Sequence, residues 1–513
     1  LEINLPNRFG LIGILSATAV INLLPLIGLL IYCLSKPGGA FSALGREGIE
    51  QLTNTLLLLI LVGIGVACLG TGIGWLTASC RFPGKASLTV AQLLPLATPA
   101  YLQAAVLTDL GSRHGLRLHG LGWAAVVLSL STLPYVVLLS RNSFCQSGRR
   151  HLEASRSLGL GAWASFRRVA LPMALPAIAS GVALAGMEVV NEFGAVELLG
   201  VPTLSTGILQ RWQGEGNPEG ASSLALAALA VVAILVAAVR WQRRFSRRWD
   251  QGGPGDQFEC WRLRGLRAWL AIALCLAPPF LSAGLPLAWL AGSWGQLRQE
   301  NFAELLNLSG RSLILGLIAA GLAVFMAFVL AVGGRWLKLR WLKSSMFMAG
   351  LGYAIPGAVS ALALLIIFAP LGVPPLLLLI YGYGNRFLAV AKGGLDARLE
   401  RLAPSIEEAT TSLGRTWIRA LPSVHLPILR SPMLLATLLV FVDTVKELPL
   451  TFALRPFNFD TLAVRVYQYA SDERLGAALG PALLIVLLGI GSTFMLVPEL
   501  KQEKSKLMPP LAG

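Results

Sequence analysis

Runs of about 20 mostly apolar residues, separated by short polar intervals, recur from one end of the chain to the other, and a helix of that length crosses a bilayer. Its backbone polar groups are satisfied within the segment, which is what lipid demands. Twelve such runs centre near Leu23, Gly65, Ala97, Ser131, Gly181, Ala230, Leu281, Gly321, Ser360, Ile380, Leu439 and Leu487. The pattern predicts an all-α polytopic membrane protein of about twelve transmembrane helices. The first run, 11–34, is too long for a signal-peptide core and lacks a small-residue cleavage site after it, so it reads as a retained anchor.

Composition agrees: 55% of the 513 residues are hydrophobic and 13% charged, which is not the balance of a soluble globular protein. A net charge of +16 raises the question of nucleic acid, but the cations answer it by their placement. Lys and Arg gather at Arg81 and Lys85, in 141–168, 240–267, 335–343, 386–430 and 501–506. With both termini cytoplasmic, about three quarters of them face inward, as the positive-inside rule requires. No nucleic-acid partner is expected, and anionic membrane lipid is. The cysteines (Cys33, Cys68, Cys80, Cys145, Cys260, Cys275) lie in or beside apolar runs without metal-type spacing, and they read as reduced, small hydrophobes.

The chain contains an internal repeat. Glu153-Ala154-Ser155-Arg156-Ser157-Leu158-Gly159, ending at Leu171-Pro172, returns as Glu408-Ala409-Thr410-Thr411-Ser412-Leu413-Gly414, ending at Leu426-Pro427, with a constant offset of 255. Asn54-Thr55-Leu56 and Pro99-Ala100 recur near the same offset as Arg311-Ser312-Leu313 and Pro356-Gly357. The expected organisation is therefore a first half over 1–240 with its motif loop near 153–172 and a second half over 269–513 with its loop near 408–427. Between them lies a basic cytoplasmic linker, 241–268, with Arg243, Arg244, Arg247 and Arg248 and a Gly252-Gly253-Pro254-Gly255 turn. Both motifs fall on one side, which makes the halves parallel repeats. In each copy Glu and Ala are expected to open a helix that Gly159 or Gly414 stops. A second short helix then runs to Leu-Pro, where Pro suits the first turn of the next span.

These motifs resemble the EAA loop of ABC importer permeases, with Ser155 or Thr410 in place of the second Ala. The resemblance implies the type I ABC importer permease fold. It also implies that Glu153, Ala154, Gly159, Leu171, Pro172, Glu408, Ala409, Gly414, Leu426 and Pro427 couple the chain to an ATPase, whose groove receives a short helix from each loop. The plainer reading is a surface helix that only anchors its loop. No phosphate-binding GxxxxGK[ST] occurs, so no cofactor is expected here; ATP and Mg belong to two copies of a separate ABC ATPase. The glycines Gly63, Gly65, Gly70, Gly72 and Gly74 lie within an apolar run and read as close helix packing, not a dinucleotide site.

The run Lys446-Glu447-Leu448-Pro449-Leu450-Thr451, with Leu454 to Ala463 after it, and Glu192-Phe193-Gly194 with Pro202 to Ile208 in the first half, resemble bacterial ferric-iron permeases, of which thiamine permeases are relatives. That resemblance implies an inner-membrane subunit passing ferric iron from a periplasmic binding protein to the cytoplasm. Thr203, Thr206, Arg455, Asp460 and Arg465 are candidates for docking that protein; alternatively, Arg455 and Asp460 brace and cap a re-entrant loop. Glu188, Glu192, Asp443 and Glu447 form two pairs with four-residue spacing, each on one helix face, at the 255 offset. Carboxylates suit a hard cation, so they are pathway candidates; pairing with Lys446 and nearby arginines is the structural alternative. No stable metal site is expected, because the four histidines are scattered. Thiamine, polyamine, phosphonate or another metal are the alternative cargoes, and a secondary transporter is the rival class.

Overall fold

The computed structural model describes residues 8–35, 44–246, 261–292, 302–337, 352–400, 405–413 and 417–505, with the single residues 295, 346 and 402. The motif residue Gly414 and most of the linker, 247–260, lie outside them.

Helices make up almost all of the described chain. They are α1 (Arg8–Leu34), α2 (Gly45–Ser79), α3 (Lys85–Ala91), α4 (Leu94–Ala97), α5 (Ala100–Arg113), α6 (Leu121–Ser157), α7 (Ala162–Ser165), α8 (Leu171–Asn191), α9 (Gly194–Leu198), α10 (Leu204–Leu209) and α11 (Pro218–Ser246). Next come α12 (Leu266–Pro279), α13 (Leu285–Gly292), α14 (Phe302–Trp336), α15 (Gly357–Phe368), α16 (Pro375–Glu400), α17 (Ser405–Ser412), α18 (Trp417–Ala420), α19 (Leu426–Lys446), α20 (Pro449–Leu454), α21 (Leu462–Ser471) and α22 (Leu479–Ser505). Two residue-pair strands, Cys80–Arg81 and Trp261–Arg262, run parallel.

Among the described residues eight helices are long and apolar enough to cross a membrane, or nine if the pair bent by 89° around Thr98-Pro99 counts as one span. All twelve apolar centres read from the sequence lie in helices, but three of them fall short of a full apolar crossing. Near Ser360 the helix has 12 residues. Near Leu487 the apolar stretch is confined to Gly476–Ser492. Near Ile380 the 26-residue α16 carries Arg386, Lys392, Asp396, Arg398 and Glu400.

The contacts divide the chain into two compact units that do not follow the sequence halves. One unit comprises Leu1–Leu44, Ile208–Leu226 and Phe302–Val464, so the first helix groups with the second repeat. Polar contacts hold it there: Asn385 Nδ2 donates to the Asn22 carbonyl at 2.7 Å, and the Tyr381 hydroxyl donates to the Ile21 carbonyl. Between apolar helices such bonds supply the specificity that apolar surface alone does not. The other unit comprises Gly45–Gly207, Ala227–Asn301 and Arg465–Gly513, so the first and last helices after the linker group with the first repeat.

Glycine sets the packing within that second unit. A Cβ at Gly70 would lie 2.8 Å from Val136 Cβ, and one at Gly74 would lie 2.2 Å from Ser140 Oγ and 3.1 Å from the Arg141 nitrogen. These glycines, one turn apart on α2, let α6 approach closely, as the glycine spacing predicts.

Candidate functional site

The two motif loops share a backbone. A π turn precedes each of the two matching spans, Phe166–Ala170 in the first copy and Leu421–His425 in the second, at the offset of 255. The Leu171 amide bonds to the carbonyl of Phe166 and the Leu426 amide to that of Leu421, five residues back in each case. This corrects the expectation that Leu-Pro starts a new helix: each span runs on from Trp163 or Trp417 without a break. Pro172 and Pro427 have no N–H, and their rings would clash with a carbonyl four residues back. Widening the preceding turn is one way for the helix to accommodate them.

Upstream of the π turn the copies differ. Glu153 and Ala154 do not open a helix; they sit in the closing turns of the 37-residue α6. That helix ends on Gly159, whose φ of +77° is the left-handed stop the sequence predicts, with the Leu160 amide bonded to the Ser155 carbonyl at 3.0 Å. In the second copy Glu408 and Ala409 lie on the separate short helix α17, both exposed. Pro404 stands just before it where the first copy has Arg149, and a proline ends helices.

Each loop turns an apolar pair outward at matched positions: Leu158 and Trp163, 81% and 72% exposed, and Leu413 and Ile418, 77% and 49% exposed.

What holds each loop also differs. In the first, Trp75 packs against Phe166 (5.1 Å between centroids), Phe144 (5.3 Å) and Trp261 (5.4 Å), and Trp163 stacks on Phe166 at 5.5 Å. Ser155 Oγ donates to Ser165 Oγ at 2.9 Å below them. Burial pushes the neighbouring Cys80 thiol up to about 11, which keeps it protonated and inert. In the second, Arg335 at the end of α14 grips Glu407 through Nε–Oε1 (2.5 Å) and Nη2–Oε2 (2.8 Å). Arg335 also donates to the carbonyls of Leu399 and Leu402, and His425 Nε2 lies 3.6 Å from Glu407 Oε1. The motif marks Glu408, whereas the residue that Arg335 holds is Glu407, outside the motif. The available signal was that Glu407 has an apolar counterpart, Leu152, in the first copy.

At the other end of these spans the repeat is again visible. Glu192 and Glu447 end α8 and α19 with extended backbones (ψ 131° and 128°), and each turns back to cap the short helix that follows. Glu192 Oε1 accepts from the Ala195 amide at 2.9 Å, and Glu447 Oε1 accepts from Leu450 at 3.1 Å. Glu447 also accepts from the Thr451 amide and hydroxyl, and it faces Arg386 at 3.9 Å with both side chains buried. Asp443 pairs with Lys446 at 2.8 Å, and Glu188 accepts from the Tyr135 hydroxyl at 3.3 Å.

The loops beyond match in detail. Gly200 and Asn458 both adopt left-handed φ, +67° and +58°. The Asn54 amide donates to the Pro202 carbonyl where Arg311 donates to that of Asn458, and the Leu204 and Leu462 amides donate to the hydroxyls of Thr55 and Ser312. Of the docking candidates, Thr203 and Thr206 are buried and bonded to one another, the Thr203 amide donating to Thr206 Oγ1 at 2.9 Å. Arg455 pairs with Asp460, and Arg465 lies over the Tyr469 ring at 5.5 Å. Nearby, burial pushes the Tyr467 phenol up to about 12.

Residues 70–251 match the family model described as the binding-protein-dependent transport system inner membrane component. The chain is 29% identical to an Fe(3+)-transport system permease protein of Haemophilus influenzae, over 87% of this chain and 89% of that one. It is 30% identical to the sulfate transport system permease protein of Escherichia coli, over 38% of this chain and 76% of that one. It is 29% identical to the molybdenum transport system permease protein of Escherichia coli, over 35% and 86%. Paired motif loops on duplicated helical frames, together with these similarities, place the chain among the inner membrane components of binding-protein-dependent transport systems: it is a multi-pass permease of the ABC importer class, a transport subunit and not an enzyme.

Proposed function

We propose that this permease imports ferric iron delivered by a periplasmic binding protein, driven by two copies of a separate ABC ATPase that carries the ATP and Mg. Twelve crossings form two parallel six-helix repeats, the first over 1–240 and the second over 269–513, with 241–268 as linker. Both termini and both motif loops are cytoplasmic, as the distribution of Lys and Arg favours. The observation that carries the reading is the matched pair of outward apolar residues, Leu158 with Trp163 and Leu413 with Ile418. One ATPase copy seats on each pair, and rotation of the seats moves α8 and α19. The cargo follows from similarity along nearly the whole chain to a permease named for Fe(3+).

For the four carboxylates, the geometry supports bracing at Asp443 and Glu447, which have Lys446 and Arg386 beside them. Glu188, which accepts from the Tyr135 hydroxyl, is the pathway candidate carried into the test. Among the docking candidates, Arg465 is favoured over the buried Thr203 and Thr206.

The test is reconstitution with the ATPase and binding protein in liposomes. ATP-dependent entry of radioactive ferric iron, reduced in Glu188→Gln, is the expected result. Uptake of sulfate, molybdate or thiamine in place of iron would overturn the cargo. Full iron uptake by Glu188→Gln would remove the pathway role.

A further inference from the structure

The chemistry holding the two motif loops is exchanged between the copies. Residues at the repeat positions of Arg335, Glu407 and His425 are Ala78, Leu152 and Ala170, whereas those at the positions of Trp75, Phe144 and Phe166 are Val332, Leu399 and Leu421. At these six positions the first copy carries the rings and the second the charged groups, and in the second Trp336 also lies against His425 at 6.0 Å between centroids.

The charged anchor joins four segments. Arg335 and Glu407 are 17% and 9% exposed, and His425 is 2% exposed. Arg335 closes α14, its guanidinium also reaches carbonyls at the end of α16, Glu407 belongs to α17, and His425 belongs to the π turn, where its Nδ1 lies 3.3 Å from the Ala420 carbonyl. A two-pronged guanidinium–carboxylate pair fixes orientation as well as distance, and in a dry setting it holds firmly. Ring packing fixes position through many weak contacts, each less directional than a paired hydrogen bond.

We propose that Glu407, clamped by Arg335 and His425, is the positioning residue for energy coupling in the second repeat: it ties that motif loop rigidly to the inner end of α14. The first loop, on its aromatic bed, is the more yielding of the two. The proposal rests on the reading of both loops as ATPase seats, and it assigns the transmission of force to a residue outside the motif. Pulling the second loop moves α14 and α19 together; pulling the first moves α8 with less drag on α2.

Spin labels on Leu158→Cys and Leu413→Cys, placed separately in a background with the six native cysteines replaced, report the tie in the full-length permease. Glu407→Gln and Arg335→Lys each mobilise the label at 413 and leave that at 158 unchanged. In the reconstituted transporter the same variants raise the ATP hydrolysed per cargo molecule moved by about five-fold or more, the size of an ordinary coupling term. An unmoved label at 413 in both variants overturns the proposal, as does equal loosening at both labels or an unchanged ATP ratio. If Glu407→Gln fails to accumulate, Arg335→Lys keeps the charge and still decides the matter. A parental permease that binds no ATPase would remove the functional reading, and the labels would still answer whether the tie exists.

Discussion

The first motif loop stands on aromatic rings and the second on an arginine–carboxylate clamp, although the two share a π turn, an outward apolar pair and a span of the same length. The geometry common to the two loops has been kept through duplication, while the means of holding it has drifted. An aromatic bed draws on dispersion and burial, which degrade gradually as atoms are removed. A buried ion pair gives nearly all or nothing, because either partner left alone is an uncompensated charge. The two loops therefore respond differently to mutation.

The largest effect is expected at the clamp. Arg335→Ala removes the guanidinium from the buried Glu407, leaving the His425 ring beside it, and costs about 3–5 kcal/mol, to be read as a fall in the thermal midpoint of the purified permease and in its yield. A midpoint within a degree of the parent would show that water already reaches the pair and would erase the contrast. Next comes the aromatic bed: Trp75→Leu loses three ring contacts and leaves a void, costing about 2–3 kcal/mol. A spin label at Leu158→Cys, in a background without the native cysteines, should gain mobility as the first loop loosens; no gain would place the stiffness elsewhere.

Gly159 sharpens the comparison from the backbone side. Nothing lies within 4 Å of a Cβ built there, so Gly159→Val isolates the left-handed φ and costs about 1–2 kcal/mol, while Gly159→Asn costs less. Uptake coupled to ATP hydrolysis measures it, and equal coupling in the two variants would mean the turn is not needed. The smallest effect belongs to Ser155→Ala, which removes the buried hydroxyl bond to Ser165 and costs about 1 kcal/mol. Faster hydrogen exchange at Leu160 and Ser165, with 405–413 unchanged, is the expected signature.

Much of this was legible in the sequence, for reasons that are local. A crossing follows from a run that is both long and uncharged, which held among the described residues for eight of the twelve runs, or nine with the bent pair, and the repeat follows from residue identity at a fixed offset. The left-handed stop at Gly159 was legible because glycine has no Cβ to forbid it. The π turns were not, because Leu-Pro at a helix start and Leu-Pro after a widened turn read alike along the chain.

The tertiary structure alone decided partnership. Glu407 and Glu408 are adjacent acids, and only the approach of Arg335 from 72 residues away distinguishes the bound one from the exposed one. Glu192 and Glu447 read as charges in a span, and they became helix caps because the chain reverses beside them. The grouping of the first helix with the second repeat was equally invisible, since it rests on Asn22 meeting Asn385 across 363 residues. Apolar patterning tells a helix that it must be buried or face lipid; which neighbour it meets is settled by close packing and a few polar contacts, which exist only once the chain has folded.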